Sequence, residues 1–195
     1  MSITNLENVI KRNVGDKSYF IGTLPSNLAK AATFVPVVED SETYLDQRLE
    51  NGYQRPGKKS RMNQFKNYLK KHSNRLIPPI ILSARGKWKF TSTNDNVGNI
   101  DVIGKAAIVD GQHRVGGIVA HFEETNDPIN FDFICFENLS LDEEKEEFKT
   151  INGKQVGVPK ALQEYLGEDP NSLIAWNLNE HDDSPFYKRI TRTTM

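Results

Sequence analysis

Cysteine is almost absent from this chain, and long hydrophobic runs are missing altogether. The single cysteine, Cys135, excludes a disulfide framework within the chain, and a reducing, cytoplasmic compartment fits that absence. No apolar run approaches the length of a membrane span, and residues 1–13 lack the apolar core of a signal peptide. Because Cys135 lies in an apolar-rich run, we expect a small buried residue there rather than a nucleophile.

The sequence also lacks the familiar motifs of several enzyme classes. It contains no G-x-x-x-x-G-K-[ST] loop, no G-x-S-x-G turn, no zinc-ligand spacing and no internal repeat. An ordinary P-loop ATPase and a serine hydrolase are therefore unsupported. The length of 195 residues, with 37% hydrophobic and 26% charged residues, suits one globular domain with room for a small appendage.

Acidic residues are absent from residues 51–94, which contain 11 Lys and Arg. Residues 121–150 show the opposite bias, with 10 acidic residues against two lysines, and the net charge of −1 conceals this asymmetry. Two explanations are open. The basic segment is the electrostatic footprint of a nucleic-acid partner, or it is a solvated helix face matched to the acidic segment across the molecule.

Hydrophobic periodicity predicts an α+β fold, in which helices pack against a mixed sheet of about five or six strands. Strands are predicted at residues 15–24, 28–38, 76–83, 87–93, 99–103, 106–110 and 129–136. Helices are predicted at residues 40–51, 58–72, 115–124, 159–166 and 172–178, and from the capping box at Ser140 to about residue 151. Residues 1–13 are interpreted as a short helix or a mobile start.

Polar side chains are concentrated where the predicted strand 106–110 turns into a helix. The turn comprises Asp110, Gly111, Gln112, His113 and Arg114. The free N–H groups of a helix start favour a phosphate, and the Arg114 guanidinium matches phosphate geometry. We therefore predict a binding or catalytic turn. The alternative is an ordinary turn in which Asp110 caps the following helix.

A catalytic role would divide the chemistry among four of these residues. Asp110 would hold a metal ion or position an attacking water, and Arg114 would hold a phosphate. Gln112 and His113 would orient the substrate or stabilise developing charge.

In the following helix, Gly116 and Gly117 each lower helix stability by on the order of 1 kcal/mol. That cost indicates a close approach of the backbone to a ligand or a neighbouring strand, although close packing alone would suffice.

The predicted helix 58–72 is the most regular in the chain. Its apolar stripe, which includes Met62, Phe65 and Leu69, belongs to the core. Its cationic side chains are Lys58, Lys59, Lys66, Lys70 and Lys71. These lysines can follow a nucleic-acid backbone, which adds affinity without sequence information.

The segment Ile108-Val109-Asp110-Gly111-Gln112-His113-Arg114 resembles the signature of the DGQHR-domain proteins. The best-known relatives of these proteins are the DndB-like proteins of bacterial DNA phosphorothioation systems, within a wider ParB/sulfiredoxin-like group. Further resemblance lies in Gln54-Arg55 with Arg61, in residues 78–83, and in Ile151-Asn152 with Gln155. Together these matches cover about residues 53–162.

The resemblance implies a ParB/sulfiredoxin-like domain at residues 1–166 and a C-terminal extension, or the truncated start of a helical region, at residues 167–195. It implies a DNA-binding protein of a bacterial DNA-modification or defence system. We expect DNA as the partner. We also expect hydrolysis of a nucleoside triphosphate with Mg²⁺, in which Asp110 binds the metal. The resemblance and the turn together suggest a phosphate or nucleotide site, formed by Arg55, Arg61, Gly111, Arg114, Asn152 and Gln155.

Two other functions are open at this point. The chain could be a non-catalytic DNA-binding regulator whose turn only holds a backbone phosphate, or a metal-dependent nuclease similar to some ParB-like proteins. The sequence does not fix the oligomeric state, and a homo-oligomer is compatible with it.

Overall fold

The computed structural model describes residues 3–41, 43, 45–71, 76–153 and 169–189, which form nine strands and five helices. The strands are β1 (Thr4–Val14), β2 (Lys17–Pro25), β3 (Thr33–Val37), β4 (Asp46–Arg48), β5 (Ile80–Ser83), β6 (Trp88–Asn94), β7 (Val97–Val102), β8 (Ala106–Asp110) and β9 (Asn130–Phe136). The helices are α1 (Ser26–Ala32), α2 (Lys59–Lys71), α3 (Gln112–Thr125), α4 (Leu141–Gly153) and α5 (Pro170–Glu180). The chain divides into two compact units, residues 1–153 and 154–195. None of the helices described is long and apolar enough to cross a membrane.

All nine strands belong to one mixed sheet, in the order β4-β3-β8-β5-β9-β2-β1-β7-β6. Strand β3 is parallel to both β4 and β8, and β5 is parallel to β9, whereas the other neighbours are antiparallel. The predicted α+β class with a mixed sheet is therefore confirmed. The expected count of about five or six strands is too low, and the ParB/sulfiredoxin-like assignment stays a prediction.

Strand β1 occupies residues that the sequence suggested as a short helix or a mobile start. Its buried residues Leu6 and Val9 are three positions apart, because the pairing with β7 shifts register between them. Asn8 lies in this irregularity with a φ of 57°. A β-bulge adds a residue to one strand and interrupts the two-residue alternation. The helix-like spacing of these apolar residues is thus a consequence of the bulge.

Two predictions between residues 26 and 51 are wrong. The strand predicted over 28–38 begins only at Thr33, because Ser26–Ala32 forms α1. The helix predicted over 40–51 is replaced, in the described residues, by turns and the short strand β4. Ser41 resembles a helix cap, but its Oγ accepts the Thr43 N–H at 3.1 Å and donates to Asp46 Oδ2 at 2.5 Å. It therefore caps a turn.

The elements around the polar turn are those that the sequence predicts. Strand β8 spans the predicted residues, helix α2 lies within the predicted 58–72, and α3 begins three residues earlier than expected. The capping box of α4 is formed, since the Ser140 N–H donates to Glu143 Oε2 at 2.8 Å and the Glu143 N–H donates to Ser140 Oγ at 3.3 Å. Cys135 is fully buried in β9, as expected, and burial raises the pKa of its thiol.

Helix α3 packs against α2 through its two glycines. A Cβ at Gly117 would lie 2.8 Å from the backbone oxygen of Met62, and one at Gly116 would lie 2.6 Å from Met62 Sδ. The neighbour that approaches so closely is thus a helix, rather than the ligand or strand that the sequence suggested. This contact fixes the α2–α3 pair that flanks the polar turn.

Candidate functional site

The polar turn leaves the sheet at the end of a fully buried strand. Residues 106–109 of β8 are inaccessible to solvent, and β8 lies between β3 and β5. Gly111 follows with a φ of 99° and precedes α3. A Cβ at this position would lie 2.7 Å from Ile80 Cδ1 and 3.2 Å from Arg114 Nη2. Both the backbone conformation and the lack of space therefore require glycine here.

Asp110 and Arg114 form an ion pair with each other. Arg114 Nη2 donates to Asp110 Oδ2 at 2.6 Å. Its Nη1 donates to the backbone oxygens of Pro78 and Pro79, at 2.7 Å and 3.2 Å. No side chain of the described residues caps α3, so the alternative in which Asp110 is a helix cap is not what the structure shows. The guanidinium instead ties the start of α3 to the chain entering β5.

Gln112 and His113 face a pocket of about 350 Å³ that brings together residues distant in sequence. The described residues that line it are Tyr53, Arg55, Pro56, Lys58, Arg61, Gln112, His113 and Phe148. Four predicted site residues and one predicted nucleic-acid lysine thus meet in one place. Asp110 and Arg114 are not part of this described lining. The predicted turn is therefore divided between a pocket and an ion pair.

The surroundings of His113 favour the neutral form of its imidazole. Partial burial lowers the pKa of its imidazole below the usual 6.5, and the nearby charge of Arg61 lowers it further. His113 Nε2 accepts the backbone N–H of Lys58 at 3.1 Å, so the proton of the neutral ring lies on Nδ1. The imidazole thereby fixes the loop that carries the pocket's cations.

Two buried acceptor oxygens near the pocket have no hydrogen-bond partner among the described residues, namely Gln112 Oε1 and Asp46 Oδ1. Both face the space beside Gly57, at 3.6 Å and 3.7 Å from where its Cβ would be. Asp46 Oδ2 is satisfied, because it accepts the Gly57 N–H at 2.9 Å. An unpaired buried acceptor costs about 1–3 kcal/mol, so donors from a ligand or water are favoured at this point.

A buried network that the sequence analysis missed supports one side of the pocket. Glu144 is fully buried and receives two hydrogen bonds from Arg85, at 2.9 Å and 2.6 Å. The Tyr53 hydroxyl donates to the same carboxylate at 2.7 Å. Burial raises the pKa of Tyr53, and the charge of Glu144 adds to the effect. The sequence analysis identified residues 121–150 only as an acidic segment, and composition alone does not show that one of its carboxylates is buried.

The predicted nucleic-acid lysines differ in their surroundings. Lys66 and Lys70 both pair with Glu124 of α3, Lys66 Nζ at 2.8 Å, and these two hydrogen bonds lower the pKa of Glu124 to about 2. Lys58 lines the pocket, while Lys59 and Lys71 lie exposed on α2. Lys66 and Lys70 therefore agree with the second explanation of the charge asymmetry, in which the basic helix pairs with the acidic segment 121–150.

The remaining predicted site residues lie elsewhere. Asn152 is in α4, where its Nδ2 donates to the Phe148 oxygen at 2.9 Å, and Gln155 lies outside the described residues. In the described part of the chain, no three His, Cys, Asp or Glu side chains converge on a point where a metal could bind. The Asp110 carboxylate is already paired with Arg114, so the residues of the polar turn do not form a Mg²⁺ site in this arrangement. The metal stays a prediction.

A large mixed sheet that carries a polar strand-to-helix turn beside a cationic pocket defines the class: an α+β protein with a candidate anion site. The particular family follows from comparison with family models. The model for DndB, described as DNA-sulfur modification-associated, matches residues 8–193. The match covers nearly the whole chain, so the chain belongs to this family, which implies a role in a DNA-sulfur modification system. No curated protein and no solved structure matches the chain.

Proposed function

We propose that this protein binds DNA in a DNA-sulfur modification system and holds a backbone phosphate in the pocket described above. One observation carries the proposal. Arg55, Lys58 and Arg61 line the same pocket, no carboxylate is among its described lining, and none of the three side chains has an ion-pair partner in the described residues. Three unpaired cations in one cavity favour an anion.

These cations suit direct contact with a nucleic-acid phosphate better than a diffuse electrostatic attraction to nucleic acid. Arginine offers a planar set of donors that matches phosphate oxygens, and lysine adds a point charge. Lys71 is exposed on the same helix as Arg61.

The arrangement of the turn favours binding over hydrolysis. A catalytic carboxylate must be available to water or a metal ion, whereas Asp110 is held by Arg114 at 2.6 Å. Arg114 in turn has backbone acceptors in Pro78 and Pro79. We therefore prefer a non-catalytic DNA-binding protein, in which the turn supports the pocket. The experiment below also tests for nucleotide hydrolysis and DNA cleavage.

The test is the salt dependence of DNA binding, measured by fluorescence anisotropy with a labelled duplex. Loss of one phosphate contact should reduce the slope of log K against log salt by about 0.9. We expect Arg61→Ala and Arg55→Ala each to weaken binding and to reduce the slope, by at most that amount because two cations remain at the phosphate. Lys105→Ala is the matched control, because it removes one exposed cation at the opposite end of β8 from the polar turn.

Either of two results would overturn the proposal. One is an equal loss of affinity in Lys105→Ala and Arg61→Ala, which would leave only a non-specific charge effect. The other is hydrolysis of a nucleoside triphosphate, or cutting of a plasmid, that requires Mg²⁺ and is abolished in Asp110→Ala. That result would make the polar turn an active site.

A further inference from the structure

We propose that the pocket prefers DNA whose backbone carries sulfur, by holding a phosphorothioate group against both its cations and its apolar side chains. The inference rests on the proposed DNA binding and adds the ligand class. In a phosphorothioate, sulfur replaces one non-bridging phosphate oxygen and the negative charge is retained. Sulfur is softer and more polarisable than oxygen, and it is a weaker hydrogen-bond acceptor.

The described lining of the pocket contains groups for both parts of such a ligand. Arg55, Lys58 and Arg61 come from the segment before α2 and from its first turn, whereas Phe148 comes from α4. Cations alone would bind the sulfur-bearing and oxygen-bearing groups alike, because the two have the same charge. The neutral thioether sulfur of methionine makes favourable contacts with aromatic rings at about 5 Å, often at the ring edge. The edge carries the positive part of the ring quadrupole, so it is also the part of the ring that an anionic, polarisable sulfur can approach. Phe148 is therefore the residue on which the preference depends, with Pro56 adding apolar surface.

Phe148 is held by contacts on its own helix and on the neighbouring segment. Its ring lies edge-on to Tyr53, with 5.2 Å between the ring centroids. One turn earlier in α4, the buried Glu144 carboxylate binds both the Tyr53 hydroxyl and Arg85. Tyr53 therefore contacts α4 at two residues one helical turn apart, Glu144 through its hydroxyl and Phe148 through its ring. An apolar surface fixed in this way can discriminate between two sides of a ligand, because little ordering is left to occur on binding.

The same network keeps the pocket favourable to anions. Glu144 is the acidic residue linked to the lining through Tyr53, and the two hydrogen bonds from Arg85 compensate its charge. The lowered pKa of His113 favours its neutral form. The positive charge of the described lining therefore comes from Arg55, Lys58 and Arg61. The Asp46 carboxylate, which accepts the Gly57 N–H beside the pocket, offsets part of this charge.

The experiment uses the full chain and a dinucleoside monophosphate, which has a single backbone phosphate, in three forms: the ordinary phosphate, the Rp phosphorothioate and the Sp phosphorothioate. Binding is followed by NMR titration. We expect one diastereomer to bind about fivefold more tightly than the ordinary phosphate, as burial of on the order of 40 Å² of soft surface would give. The other diastereomer should bind like the ordinary phosphate, because its sulfur points away from Phe148.

Variants test whether the preference for phosphorothioate depends on Phe148. Phe148→Ala should bring the affinity ratio between phosphorothioate and phosphate to about one, and Phe148→Leu, which preserves packing, should retain part of the preference. Arg61→Ala should weaken all three ligands by a similar factor and keep the ratio. Lys105→Ala should change none of them. Circular dichroism shows whether each variant is folded.

The outcomes separate this inference from the proposed function. The inference is overturned by equal affinities for the three ligands, by equal gains for both diastereomers, by no binding of any of them while duplex DNA still binds, or by a preference that survives in both Phe148 variants. If duplex DNA itself does not bind, the proposed function fails first.

Discussion

Asp110 and Arg114 hold each other and also the chain that enters β5. Arg114 uses two nitrogens for three acceptors, one carboxylate oxygen and two backbone oxygens. Both side chains are about one-fifth exposed, so removal of one partner leaves a poorly solvated charge without compensation. At the scale of single residues, the pair is expected to act on stability.

A double-mutant cycle tests this role. We expect Asp110→Ala and Arg114→Ala each to lower the free energy of unfolding by about 2 kcal/mol, and the double variant to lose at least about 1 kcal/mol less than their sum. Urea unfolding measures all four proteins. Arg48→Ala is the control, because its ion pair with Asp40 is highly exposed and should contribute under about 0.5 kcal/mol. Strictly additive effects would contradict the ion pair.

At the scale of elements, the sequence predicted those whose apolar spacing follows one period without interruption. Helix α2 and strand β8 are of this kind. Strand β1 was missed because the bulge before Val9 changes the spacing of its buried residues, and β4 was missed because Ser41 caps a turn instead of a helix. Of the turn residues selected by their types, Gln112 and His113 line the candidate pocket, whereas Asp110 and Arg114 pair with each other outside its described lining. Phe148 was not, since only the packing of α4 brings it to the pocket.

The contact between α2 and α3 yields a prediction that opposes helix propensity. Replacement of a helical glycine by alanine normally gains about 1 kcal/mol. At Gly117, however, the new Cβ would lie 2.8 Å from the Met62 oxygen and 3.1 Å from the Lys66 nitrogen, both of them backbone atoms. We expect Gly117→Ala to destabilise the protein by about 2 kcal/mol, as measured by urea unfolding.

Gly116→Ala is the matched comparison one residue away. The three atoms nearest to its Cβ would all belong to the Met62 side chain, at 2.6–2.9 Å, and a side chain yields more easily than backbone. We therefore expect a smaller loss than at Gly117, or none. A gain of about 1 kcal/mol at both positions, as for exposed helix sites, would show that the two helices do not approach so closely.

At the scale of the whole molecule, the sheet and its core belong to one unit. All nine strands lie within residues 1–153, and so do the members of the main hydrophobic cluster in the part of the chain that the structure describes. The described lining of the candidate pocket lies there as well. The sequence analysis placed the end of the domain later, at residue 166. That boundary stays a prediction, and shortened chains can test it.

We expect a chain of residues 1–153 to unfold in a single cooperative urea transition, because it contains the whole sheet and the hydrophobic cluster of the described residues. A chain of residues 1–166 serves as the comparison, and circular dichroism and tryptophan fluorescence should give coincident transitions for both. Trp88, which is buried in the sheet, reports on the core, while Trp176 is absent from both shortened chains. If only the longer chain unfolds cooperatively, residues 154–166 are part of the folding unit, and the domain ends where the sequence predicts. If both do, the sheet with its pocket is the minimal unit in which to measure DNA binding.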